Sequence, residues 1–172
     1  MRRFFLAQMT IDRNKISIRN NLSPGDLGCV VALHGKVYGE EYGFPIGFEV
    51  YVMQSVIEFF GQYDPEKDRI WVVEYEGEMI GFLSLMHRPR NQAQLRYFIL
   101  IKEFRGIGIG KKLMQEWMDF YHKKKYKSAY LFTTSGLDPA ISLYVRNGFE
   151  KVSEAMTTNF GFPMLEILYR LE

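Results

Sequence analysis

The sequence predicts one α/β domain, a mixed sheet flanked by helices, and three observations carry that prediction. Runs with strand spacing and runs with helical spacing follow one another in the order β-α-α-β-β-β-α-β-α-β-β, the pattern of a mixed α/β fold. The 172 residues are 47% hydrophobic with six prolines, enough for a single core burying about two-thirds of the unfolded surface and too apolar for a disordered chain. Residues 98–114 read as a buried strand, a glycine-studded turn and an amphipathic helix in direct succession. The domain is expected over residues 15–172, with residues 1–14 as a loose N-terminal extension.

Residues 15–19 alternate polar and apolar, as a half-buried strand does. Ser23 as N-cap and Pro24 at the first helical position open a helix to about Val37. Residues 39–45 read as a loop. Phe48, Tyr51, Val52, Val56, Phe59 and Phe60 then recur at helical spacing up to Gly61, with Ser55 as a gap in the stripe. Residues 70–75 and 79–86 are strands joined by a tight hairpin at Glu76, Gly77 and Glu78. A third strand over about 93–101 enters the glycine turn. The next helix carries Ile109, Leu113, Met114, Trp117, Met118 and Tyr121 on one side, a stripe made for core packing. Residues 129–134 form a strand. Asp138 and Pro139 start a helix of about two turns that Gly148 stops. Residues 149–152 and 165–169 close the sheet as a long hairpin, with an exposed apolar tip at Phe160-Gly161-Phe162-Pro163.

Glycines at 106, 108 and 110 clear side chains from a helix start whose unpaired amides and positive dipole end suit a phosphate. A P-loop would follow Gly-Lys with Ser or Thr, whereas Lys112 follows Lys111. A dinucleotide fingerprint needs Gly-x-Gly-x-x-Gly, and the spacing here is Gly-x-Gly-x-Gly. Arg105, Gly108 and Gly110 instead match an Arg-x-x-Gly-x-Gly loop. Some thirty residues on, Ala140, Leu143, Tyr144, Gly148 and Phe149 match Asn-x-x-Ala-x-x-Leu/Phe-Tyr-x-x-x-Gly-Phe, with Leu137 where the pattern has Asn.

With these two motifs the chain resembles the GNAT superfamily of N-acetyltransferases over residues 16–171. Within it, residues 94–98 and 40–43 look most like the acetyltransferase half of bacterial MarR–GNAT fusion proteins. The resemblance implies a mostly antiparallel central sheet and acetyl-CoA held where the strand ending near Leu100 splays from the strand over 129–134. The backbone of Phe98, Ile99 and Leu100 would pair with the pantetheine arm. Amides of Arg105, Gly106, Ile107, Gly108, Ile109, Gly110 and Lys111 would take the diphosphate. Tyr144 matches the superfamily's general acid. A phenol titrates near 10 and a thiol near 8.5, so proton donation to a departing thiolate is uphill by only about 2 kcal/mol in water, a gap the pocket can erase.

Some superfamily members carry a Glu base on the third strand, where this chain has Gln94. Glu40, Glu41 and Glu49 lie in or beside the loop over the acceptor, and Glu41 is the named candidate base, acting through a water. An acidic rim would favour a cationic acceptor. The expected activity is direct acetyl transfer to a primary amine on a small molecule or peptide, with a non-catalytic acyl-CoA sensor as the alternative. The tip at 160–163 either roofs the acceptor or buries itself in a second subunit, making a homodimer.

A formal charge of +2 gives no ground for a nucleic-acid partner. Cys29 is the single cysteine, so no intrachain disulfide exists, and a reducing cytoplasm is the simplest setting. Cys29 and His34 share a helix without an orienting acid, so the thiol is expected to be a buried structural one. No Cys or His pair has metal-ligand spacing, so no metal is expected. Met1 to Met9 superficially resembles a signal peptide, but its apolar core is short, and no stretch reaches the roughly 20 apolar residues of a membrane span.

Overall fold

In the computed structural model, residues 11–172 are described; the signal-like run and most of the expected extension lie outside them. Of that extension, Ile11 packs against the core and Asp12 caps a short 3₁₀ turn at Arg13–Lys15.

Seven strands and four helices follow: β1 Ile16–Arg19, α1 Asp26–Tyr42, α2 Ile46–Gly61, β2 Arg69–Tyr75, β3 Glu78–Arg88, β4 Gln92–Leu100, α3 Ile109–Lys123, β5 Ser128–Thr134, α4 Asp138–Arg146, β6 Glu150–Thr157 and β7 Met164–Leu171. The expected order holds. The strands form one sheet in the order β1-β2-β3-β4-β5-β7-β6, and among the described residues β4 and β5 pair in parallel while every other pair is antiparallel.

The central strands are apolar on both sides because both faces are covered. In β2, Ile70 and Val72 join the layer under α1 and α2, with Val30, Val52 and Phe59. The alternate residues Trp71 and Val73 face α3, with Leu113, Met114 and Trp117. Trp117 also donates its indole N–H to the Ser84 carbonyl at 3.1 Å, fixing α3 on β3.

β4 breaks the alternation. Ala93 and Leu95 face α3, but Tyr97 and Ile99 face α1 and α2. The switch is a bulge: Ser84 pairs with Arg96 and Phe82 with Ile99, so two residues of β4 oppose one of β3. Tyr97 takes φ 56°, a left-handed conformation that costs a non-glycine residue about 1–3 kcal/mol. Bulges re-aim side chains, and this one sets the cavity wall.

Several local expectations are corrected. α1 begins at Asp26 after Gly25, which has φ 100°. Ser23 and Pro24 lie in the preceding turn, and the Ser23 N–H donates to the Asp26 carboxylate at 2.6 Å. That carboxylate also receives two bonds from Arg19, each 2.8 Å. α1 continues past Val37 to Tyr42 because Gly39 does not break it; Gly43, at φ 69°, ends it with its N–H on the Gly39 carbonyl. Glu40 and Glu41 are therefore helical. Leu137, without a side-chain bond, caps α4, and Asp138 is its first residue.

The tip at 160–163 is not a free apolar knob. Phe160 is buried against Tyr51 and Phe48, and Phe162 lies edge-on to Phe44. A Cβ on Gly161 would sit 2.6 Å from Gly47 Cα, so the tip reaches α2 backbone to backbone. Through Phe160 it roofs the aromatic end of the cavity. Cys29, expected to be buried, is exposed.

Candidate active site

β4 and β5 pair only at Gln92–Ser128, Ala93–Ala129 and Gln94–Tyr130. Beyond that point β4 stays with β3 and β5 with β7, so the sheet splays. A cavity of about 490 Å³ runs through the splay from the glycine turn to the aromatic wall under α1, α2 and the tip.

At the glycine end, Gly106 has φ 76° and Gly108, the α3 N-cap, has φ 96°. A Cβ at either would meet nothing within 4 Å. Glycine is needed there for the backbone turn, and the space beside it is open. No side chain caps the helix. The first amide to bond within α3 is that of Lys112, to the Gly108 carbonyl at 3.1 Å, which leaves the amides of residues 109–111 without a helical acceptor. Gly106, Gly108, Gly110 and Lys111 line the cavity, as do Phe98, Ile99 and Leu100. Ile109 turns its side chain into the core and Ile107 packs against it, so both can contribute only main chain. This nook fits a diphosphate: bare amides, a positive helix end and room.

Arg105 is oriented from behind. Its Nε donates to the Leu100 carbonyl at 2.7 Å, and Nη1 and Nη2 donate to the two carboxylate oxygens of Glu41 at 2.6 and 2.9 Å. Glu41, the expected base, thus has both oxygens occupied and does not line the cavity. Glu40 and Glu49 do not line it either; Glu49 lies over Gly35, between α1 and α2. The acidic rim does not exist. Among the described residues the lining holds Arg96, Arg105, Lys111 and Arg146 and no aspartate or glutamate. Gln94 is buried and accepts from Arg88 Nε at 2.8 Å.

Tyr144 reaches the cavity from α4, buried, with ring centres of Phe98 and Phe149 each 6.2 Å away. No described residue hydrogen-bonds its hydroxyl. Burial, and after it the nearby Tyr38 phenol, push its pKa well above the ordinary value. The pocket therefore does not erase the gap to a free thiol but widens it, because a buried phenolate is poorly solvated.

The opposite end is built from parts that no sequence motif joined. Tyr38, Phe44, Phe48, Tyr51 and Phe160 form its wall, and Arg96 and the bulged Tyr97 face it from β4. In the sequence Phe48 and Tyr51 read as part of the helical core stripe, Phe44 as part of a loop and Phe160 as part of the hairpin tip. His34 also lines the cavity. Its Nδ1 donates to the Val30 carbonyl at 2.8 Å, and burial lowers its pKa to about 4, so it is neutral with Nε2 free. The Tyr97 hydroxyl donates to Ser55 Oγ at 3.1 Å, explaining the polar gap in the α2 stripe. Among the described residues no group of three or more His, Cys, Asp or Glu could hold a metal ion, and no helix is long and apolar enough to cross a membrane.

A splayed β4–β5 pair over an uncapped glycine turn defines the class, and sequence comparison agrees. The chain belongs to the Acetyltransferase (GNAT) family, whose model matches residues 36–149. It is similar to an uncharacterized N-acetyltransferase, YjgM, of Escherichia coli, 33% identical over 58% of this chain and 61% of that protein. It is also similar to N-acetyltransferase family 8 member 3 of Rattus norvegicus, 29% identical over 51% of this chain and 41% of the relative. The chain thus spans roughly half the length of these curated relatives. The fold is that of the PaiA N-acetyltransferase from Thermoplasma acidophilum, solved in complex with coenzyme A, at TM-score 0.64 and 20% identity over 91% of this chain and 98% of that one.

Proposed function

We propose that the chain is an acetyl-CoA-dependent N-acetyltransferase that moves an acetyl group directly to a primary amine while both substrates are bound. The observation that carries this reading is the continuity of the cavity. One opening of the sheet joins the unpartnered amides of residues 109–111 to an aromatic pocket, so a diphosphate-anchored thioester and an amine can meet without either leaving its site.

Acetyl-CoA supplies an acyl group already activated as a thioester. The amides of residues 106–111 bind the diphosphate, the Arg105 amide being already bonded to the Lys102 carbonyl at 3.1 Å, and the Arg105 guanidinium, held square by Glu41, presents charge beside them. Phe98, Ile99 and Leu100 offer main chain to an extended arm, although the Leu100 carbonyl already accepts Arg105 Nε. Tyr144 keeps its proton at Oη facing the cavity throughout the neutral range, ready for the departing sulfur. The dry surroundings that raise the phenol also raise a thiol bound beside it, which narrows the mismatch. No carboxylate lines the cavity, and none is required if the amine arrives neutral. A peptide α-amino group titrates near 8, and the cationic lining pushes that value lower.

A non-catalytic acyl-CoA sensor is the second reading. It is favoured by Leu137, which lines the cavity where the family signature has Asn. Tyr144→Phe separates the two. As an enzyme the variant keeps acetyl-CoA affinity and loses about 10²–10⁴-fold in thiol release. Unchanged release removes Tyr144 as the acid, and no release from either protein with any amine removes the catalytic reading.

A further inference from the structure

The cavity's aromatic end contains one cation that the acetyl-CoA half does not use. Arg96 precedes the bulged Tyr97 on β4, so the two consecutive side chains face the same pocket. Its guanidinium stands 5.1 Å from the Tyr97 ring centre and 5.9 Å from that of Tyr51, and Nη2 donates to the Tyr51 hydroxyl at 3.0 Å. That is the single hydrogen bond its side chain makes among the described residues. A guanidinium has five N–H donors in a plane and stays charged at any working pH.

Every other arginine that takes a carboxylate partner here does so on the protein's own residues, as Arg105 does with Glu41 and Arg19 with Asp26. Arg96, half-buried, has no carboxylate within ion-pair distance among the described residues. Glu166 on β7 feels the Arg96 charge but lies outside the cavity lining, with its pKa raised by burial. A half-buried, unpaired guanidinium with its fork turned to an aromatic pocket is a seat for a planar anion.

We propose that Arg96 binds a carboxylate on the acceptor, so that the substrate class is amines that carry a carboxylate on an apolar, aromatic-sized body: amino acids, short peptides or their derivatives. This rests on the acetyltransferase reading of the same site. The aromatic wall and the tip at Phe160 cover the body, the carboxylate lies toward Tyr51, and the amine extends toward the splay beside Phe98. The same end argues against polyamines, which would meet Arg96 there and no carboxylate among the described lining residues.

The test uses L-phenylalanine and glycyl-phenylalanine, each against its C-terminal amide, with spermidine as the cationic probe. Thiol release and calorimetric binding to the CoA-loaded protein are followed for wild type, Arg96→Gln and Arg96→Lys. A charge-assisted bidentate contact predicts that the acids exceed their amides by about 10- to 100-fold in kcat/KM, mostly through KM. Arg96→Gln brings that ratio near one with the acetyl-CoA KM unchanged, and Arg96→Lys keeps part of it. Equal use of acid and amide, a preference for spermidine, or a ratio that survives Arg96→Gln overturns the proposal while leaving acetyl transfer standing. Acid-selective binding that Arg96→Gln abolishes, without thiol release, supports the Arg96 seat and overturns the catalytic reading instead.

Discussion

The two halves of the cavity are made differently. The glycine half is main chain: its function depends on backbone angles at Gly106 and Gly108, on amides with no partner, and on side chains that are missing. The aromatic half is side chain, assembled from α1, α2, β4 and the β6–β7 turn, segments that lie far apart in sequence. A site made of main chain must be written as glycine at fixed spacing, because no other residue adopts those angles cheaply. A site made of side chains can be written in many ways, and its specificity follows from which polar groups the fold leaves unpaired.

That contrast can be broken from either side. The largest effect is expected at Gly108. A Cβ there meets no atom, so Gly108→Val should fold, losing about 1–3 kcal/mol of stability to the φ of 96°. Acetyl-CoA affinity should fall about 100-fold, because the amides can no longer approach the diphosphate. Calorimetry beside a melting curve checks both, and retained affinity would refute the main-chain account.

Glu41→Gln is the next test. If Glu41 serves only to hold Arg105, the acetyl-CoA KM rises by no more than about fivefold, as expected for a partly exposed ion pair, and kcat stays. A kcat loss of about 100-fold would restore Glu41 as the base.

The smallest effect concerns His34, on the aromatic side. Its pKa is about 4 in the fold against 6.5 unfolded, so between those values the unfolded chain binds the extra proton and the native state does not. Its contribution is present above pH 6.5 and is lost as pH falls toward 4. The loss amounts to about 2 kcal/mol by pH 5. Urea midpoints at pH 7.5 and 5 should therefore converge in His34→Gln relative to wild type. Equal acid sensitivity in both proteins would mean that His34 is not buried neutral.

What the sequence made legible follows the same division. The glycine turn, Tyr144 on a short helix and the hairpin that closes the sheet were all readable, because each is a local pattern with a local cause. The bulge at Tyr97 was not, since no glycine marks it and the neighbouring strand imposes it. Without the bulge, strict alternation would send Tyr97 to the other face of the sheet and leave Arg96 without its aromatic neighbour. Glu41 was misplaced because Gly39 in a helix looks like a stop, and only Gly43 with its positive φ ends α1. The tip looked exposed because the glycine that lets it touch α2, Gly47, lies more than a hundred residues earlier.

The most direct measurement is a calorimetric titration of acetyl-CoA set beside S-acetylpantetheine, which keeps the thioester and the arm but lacks the diphosphate. If unpartnered amides at 109–111 hold that group, acetyl-CoA binds one to one and the truncated thioester binds at least about 100-fold more weakly. Equal affinity for the two, or no heat from acetyl-CoA, would contradict the account.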